Sequence, residues 1–222
     1  MHFEEDLAQV LPADLPHRDN VIAKAARHLE LVVQVNEYLN LTRITTPSEA
    51  AIKHVLDSVL PWRLFAGANS ILDAGTGAGF PGIPLALLLP EIQFTLSESI
   101  QKKARFVQSA VETLGLPNVK VSSQRAEDIP TTGLITARAV APLSRAIVLF
   151  APALKTGARV LLYKGPDVAT EIADASVEAK KRQITIRILE RYDLPHALGT
   201  RTIVELSAES PALRSRGNDQ RP

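Results

Sequence analysis

Cysteine is absent from all 222 residues. Its absence excludes a disulfide framework, a cysteine zinc site and a thiolate nucleophile, and it is compatible with a reducing cytoplasm. Long apolar runs are lacking too: a run such as residues 83–89 is far too short to span a bilayer. The opening stretch, MHFEEDLAQV, is acidic and has neither the basic start nor the apolar core of a secretory signal. Charge of one sign is nearly cancelled, with 25 Lys+Arg against 24 Asp+Glu and a formal net charge of +1. Contact with nucleic acid would therefore have to come from local basic clusters. The chain shows no internal repeat, no metal-ligand constellation and no G-x-S-x-G nucleophile elbow.

What is present is enough apolar material, 45% of residues, for one sizeable buried core. The expected organisation is an N-terminal helical extension over 1–66, an α/β domain over 67–208 and a disordered basic tail over 209–222. The chain is organised around residues 71–82, ILDAGTGAGFPG. They read as a buried strand, a tight glycine loop and a helix entry, with Pro81 suited to a first helical turn. Glycine admits positive φ and lets a ligand approach the bare main chain. Two cofactor classes fit the loop. Gly77-Ala-Gly79-Phe80-Pro-Gly82 satisfies the dinucleotide pattern G-x-G-x-x-G, with Glu98 about twenty residues on. Asp73-Ala-Gly75-Thr-Gly77-Ala-Gly79 satisfies the D-x-G-x-G-x-G of S-adenosylmethionine sites. Asp73 favours the second, because a carboxylate there would repel pyrophosphate but can orient the loop and meet an ammonium group.

Along the chain, residues 1–17 are acidic and proline-punctuated and are expected to be loosely ordered. Helical spacing runs over 18–39. Thr46-Pro47-Ser48-Glu49 reads as a capping box, and the helix after it places Lys53, His54, Asp57 and Ser58 opposite an apolar face. Taken alone, that polar set is a solvated helix face. Strands are expected at about 70–74, 93–98, 118–123, 134–140 and 158–164, alternating with helices, and two further strands come after them at 183–191 and 202–207. Ser99 is placed to cap the helix that Gly115 stops. Lys102, Lys103 and Arg105 crowd that helix's first turns. The pattern implies a largely parallel seven-stranded sheet with an antiparallel edge.

Ligands of such sheets bind beyond the carboxyl ends of the strands. Here those ends carry Asp73 and its glycines, Glu98, Arg125 to Glu127, and Arg138. Glu98 is placed for ribose hydroxyls, and Ala126 with Glu127 for an adenine. Arg138, a cation at an apolar strand end, needs a partner; Asp73 or Glu127, or a bound cofactor or substrate, would supply it.

These residues resemble the bacterial small-subunit (16S) ribosomal RNA guanine-N7 methyltransferases, the glucose-inhibited division protein B family. The likeness covers residues 40–165: Asn40-Leu-Thr42, Lys53-His54 with Asp57-Ser58, Leu72 to Pro84, Glu98-Ser99, Lys103, Arg125-Ala126-Glu127, Arg138-Ala-Val-Ala141 and Lys164-Gly165. The resemblance implies a Rossmann-like class I methyltransferase with S-adenosyl-L-methionine as donor. It implies Asp73, Gly75, Gly77, Gly79 and Phe80 at the cofactor loop, Ala126 and Glu127 at the adenine, Arg138 at the methionine end, and Glu98, where the family often has Asp, at the ribose. The partner implied is small-subunit ribosomal RNA or the assembling small subunit, with Arg43, Lys53, His54, Lys103 and Lys164 as candidate RNA contacts and no membrane. Guanine N7 has an in-plane lone pair and no proton, so direct methyl transfer needs no general base. An Asn/Asp-Pro-Pro-aromatic run, usual for amino methylation, is replaced by Arg138-Ala-Val-Ala-Pro-Leu143. An NAD-dependent oxidoreductase and a non-catalytic RNA-binding module are the alternatives.

Overall fold

The computed structural model describes residues 3–44, 46–130 and 133–209. Seven strands pair in the order β3-β2-β1-β4-β5-β7-β6. They are β1 (Ser70–Ala74), β2 (Gln93–Ser97), β3 (Val119–Ser122), β4 (Leu134–Arg138), β5 (Arg159–Lys164), β6 (Ile184–Asp193) and β7 (Thr200–Ala208). The first five pair in parallel, and β7 runs antiparallel to both β5 and β6. Strands β1, β4 and β5 are almost wholly buried because helices cover both faces. Strand order reverses between β1 and β4, which opens a crevice at their carboxyl ends.

The helices are α1 (Phe3–Val10), α2 (Arg18–Leu39), α3 (Pro47–Ala50), α4 (Asp57–Val59), α5 (Gly82–Leu88), α6 (Gln101–Leu114), α7 (Leu143–Lys155) and α8 (Val168–Arg182). One sheet face packs with α1 to α6 into a single apolar cluster that includes Leu7, Leu29, Ile52, Ile83, Phe94 and Val107. The other face packs with α7 and α8 through Leu72, Ile135, Ile147, Phe150 and Ala175.

Several local expectations are corrected. Residues 3–15 are ordered: Phe3, Leu7, Leu11 and Leu15 are spaced by four and all buried, each burial stabilising by about 1.5–3 kcal/mol. Arg18 secures the end of that segment by donating to the carbonyls of Ala8 and Pro12 at 2.5 and 3.2 Å. Thr46 forms no side-chain cap, and Glu49 instead pairs with Lys53 at 2.6 Å. Between α3 and α4 the backbone forms a π-helix, Ala51–Leu56, and His54, Asp57 and Ser58 are buried rather than solvated. The wider turn rotates the residues after it, so Asp57 faces the crevice instead of water. Ser99 does not cap α6: its N-cap is Ile100, whose N–H donates to Glu98 Oε1 at 2.8 Å. Pro81 likewise precedes α5 as its N-cap rather than opening its first turn. The 209–222 tail lies, after Glu209, outside the described residues.

Candidate active site

The loop after β1 is held from three sides. Asp73 is fully buried, and its Oδ2 accepts the Thr76 hydroxyl at 2.6 Å and the Gly82 N–H at 2.9 Å. That contact satisfies a buried amide left without a helical partner at the start of α5. The Glu98 carboxylate closes the loop on the β2 side, with Oε2 accepting the Gly77 N–H at 3.2 Å. From the extension, His28 Nε2 lies 2.8 Å from the Ala78 carbonyl. A carbonyl only accepts, so Nε2 carries the proton and Nδ1, buried and without a partner among the described residues, keeps its lone pair. Burial holds His28 at about 4, well below the usual range.

The glycines divide by role. A Cβ on Gly79 would meet Ile83 Cδ1 at 2.6 Å, and one on Gly82 would meet Leu96 Cδ2 at 2.2 Å, so these two serve packing. Gly77, at φ 61, has nothing within 4 Å of a Cβ, and Gly75, at φ 68, meets only Val140 Cγ2 at 3.1 Å. Gly75 backbone borders a cavity of about 210 Å³ lined by Ser97, Ser99, Ala126, Glu127 and Val140, among others. Asp73 Oδ1 is buried without a partner among the described residues, and burial raises the carboxyl to about 6. An orphaned carboxylate oxygen beside bare glycine backbone fits a cofactor that has a cationic amino-acid end and a nucleoside.

Phe80 does not line that cavity. It is buried between His54, stacked at 4.6 Å and 11°, and His28 at 4.6 Å, with the Arg138 guanidinium 5.5 Å from its ring centroid. Its part is to join the loop to the extension.

A second cavity, of about 610 Å³, opens beyond β4 and β5 and shares Val140 with the first. Its floor is an ion cluster. Asp57 is fully buried and accepts Arg201 Nε and Nη2, both at 2.8 Å, Arg138 Nη1 at 3.3 Å and the Tyr192 hydroxyl at 3.2 Å. Arg138 Nη1 also donates to the Lys53 carbonyl at 2.8 Å. The expected partners of Arg138, Asp73 and Glu127, are thus replaced by Asp57, and Glu127 lies 3.8 Å from Arg125. A carboxylate flanked by two guanidiniums leaves the floor net positive while neither charge is buried alone. On the far wall, Lys164 Nζ sits 2.9 Å from the Ala141 carbonyl and 2.6 Å from Glu171 Oε2, which also accepts the Leu143 N–H at 2.9 Å. Ala139, at φ 57, takes a conformation that L residues rarely adopt, in the segment between the two cavities.

Of the expected RNA contacts, Lys53, His54 and Lys164 line this second cavity, whereas Arg43 and Lys103 do not. His54 is corrected as a cation: burial first, then the nearby Arg138, lowers it to about 3, so it is neutral at pH 7. It instead hydrogen-bonds with Thr42 Oγ1 at 3.0 Å, which places Asn40-Leu-Thr42 beside the site. Sequence reasoning does not single out Arg201, Glu171 or His28. Arg201 sits between two threonines near the start of β7, a strand that also holds Glu205, so it lacks the signal of a lone charge in an apolar strand that singles out Arg138.

The GidB family model, described as rRNA small subunit methyltransferase G, matches residues 21–199. The chain is 64% identical over 209 residues to the ribosomal RNA small subunit methyltransferase G of Solibacter usitatus, covering 93% of this chain and all of that one. Against the protein of the same name from Carboxydothermus hydrogenoformans it is 37% identical over 187 residues, covering 80% and 79%. The fold is similar to that of the O-methyltransferase TomG from Streptomyces achromogenes, solved in complex with S-adenosylmethionine, with a TM-score of 0.55 at 18% identity over 82% of this chain and 90% of that one. With that family match, the dinucleotide reading of the loop gives way to the S-adenosylmethionine reading. The chain belongs to the GidB family of small-subunit ribosomal RNA methyltransferases.

Proposed function

We propose that this protein methylates N7 of a guanine in small-subunit ribosomal RNA, free or in the assembling subunit, in the cytoplasm. The observation that carries the reading is the pair of cavities that meet at Val140. One is bordered by Gly75, Ala126 and Glu127, just beyond the buried Asp73; the other has a cationic floor. When bound, S-adenosylmethionine supplies an electrophilic methyl group on sulfur. The first cavity would hold it through Asp73, Gly75, Gly77, Glu98, Ala126 and Glu127. Each Glu98 oxygen already accepts one backbone N–H and keeps a lone pair for a ribose hydroxyl.

The chain's own task is alignment. The N7 lone pair attacks in the base plane, no proton leaves, and no side chain has to act as a base. Holding the purine in line and excluding water supply the catalysis. Arg138 lines the second cavity two residues before the shared Val140, fixed by Asp57 and the Lys53 carbonyl. Arg43, Lys53, Lys103, Lys164 and Arg201 are the cations proposed to meet RNA phosphates. No helix of the described residues is long and apolar enough to cross a membrane.

The test is transfer of tritium from methyl-labelled S-adenosylmethionine to small-subunit ribosomal RNA, with the modified nucleotide mapped. Label at a single guanine is expected. RNA binding without transfer would favour a non-catalytic module on the same fold.

A further inference from the structure

The two carboxylates in the second cavity are not equivalent. Asp57 is saturated, holding Arg201 through both oxygens and accepting Arg138 and Tyr192 as well. Glu171, from the first turn of α8, takes its Leu143 N–H and its Lys164 ion pair on one oxygen, Oε2. Its side chain is 27% exposed, and it lines the cavity. Those contacts explain Oε2. They do not explain a carboxylate facing a cavity that must accept part of a polyanion, where it repels every phosphate nearby.

A guanine supplies the explanation. Its Watson–Crick edge is the one base edge with two adjacent donors, N1–H and the N2 amino group, and an ionised carboxylate is an acceptor only. Strand order supplies the direction. The cofactor loop follows β1, Arg138 ends β4 with Val140 just after it, and Lys164 ends β5, the strand beyond β4, with Glu171 on the helix that follows. A purine between these walls with N7 toward the β1–β4 side can turn N1 and the N2 amino group, at the far end of its six-membered ring, toward β5. We propose that Glu171 is a specificity-determining residue that accepts the N1–H and N2 amino group of the target guanine through its free carboxylate capacity. Lys164, ion-paired to it, fixes its position. Adenine lacks both of those donors at this edge, so it leaves the carboxylate unpaired and is rejected. The inference rests on the guanine-N7 reading above.

A double-mutant cycle tests it. Ribosomal RNA carrying inosine at the target lacks only the N2 amino group and keeps N7. The cycle compares kcat/KM for guanosine and inosine substrates in the wild type and in Glu171→Ala. The wild type is expected to lose about tenfold on inosine, the worth of one hydrogen bond to a charged group. In Glu171→Ala that penalty should fall below about twofold, because the partner of the amino group is already gone. Any effect of inosine on RNA folding is common to both proteins and cancels. Glu171→Gln, closer in shape, runs the same cycle if the alanine variant does not fold, with the penalty reduced partway. An inosine penalty of equal size in wild type and variant overturns the proposal and returns Glu171 to bracing α7 and Lys164. A wild type that does not methylate the guanosine substrate defeats the functional reading itself, a result distinct from a failed cycle.

Discussion

Gly77 carries the residue-scale argument furthest, because a methyl group there would touch no protein atom within 4 Å. Gly77→Ala should therefore cost only about 1 kcal/mol of stability, from its positive φ. Affinity for S-adenosylhomocysteine should nonetheless fall at least about tenfold, since the added carbon would occupy ligand space. Calorimetry on the folded variant checks this; unchanged affinity would remove the loop as the cofactor site. The loop itself is legible in the sequence, since glycine spacing and a strand-closing Asp are local features. The partner of Arg138 is not legible. Asp57 lies 81 positions away, and only the π-helix turns it inward. Phe80 reads as part of the loop, but its packing against His28 and His54 depends on two helices far off in the chain.

Among the elements, α2 does more than cover the sheet, since it brings His28 against the cofactor loop. His28 titrates at about 4 in the fold against 6.5 when exposed, so the native state binds fewer protons between those values. Its contribution is fully present above pH 6.5 and is lost as pH falls toward 4. Between pH 7 and pH 5 that loss amounts to about 2 kcal/mol. Asp73 opposes it: with its carboxyl raised from 3.8 to about 6, proton uptake in that window favours the fold. Urea unfolding at the two pH values should show His28→Gln losing about 2 kcal/mol less than the wild type on acidification. Equal losses would mean that His28 is not held neutral. Strands are the most legible elements, because burial on both faces writes them as apolar runs between turn residues. Helix α1 is hidden because prolines and acids obscure a four-residue spacing of apolar side chains. The π-helix leaves no local signature, since it differs from an α-helix only in which carbonyl each N–H reaches.

At the scale of the whole molecule, alternation of strands and helices is enough to read a doubly wound sheet with an antiparallel strand near its edge. Where the ligands meet is legible only in part. The first cavity is built from consecutive strand ends, which the sequence orders. The second draws on the π-helix, β4, β5, α8 and β7, and its ion cluster joins Asp57 to Arg201 across 144 positions. The central claim is that the two cavities bring a methyl donor and the N7 of a guanine together without any side chain acting as a general base. Its most direct test replaces the target guanosine with 7-deazaguanosine, which exchanges the nucleophilic nitrogen for carbon and leaves the Watson–Crick edge intact. Binding is measured in parallel, because N7 is also a groove acceptor. RNA that still binds but accepts no methyl group is the predicted result; methyl transfer persisting at the substituted nucleotide would contradict the account.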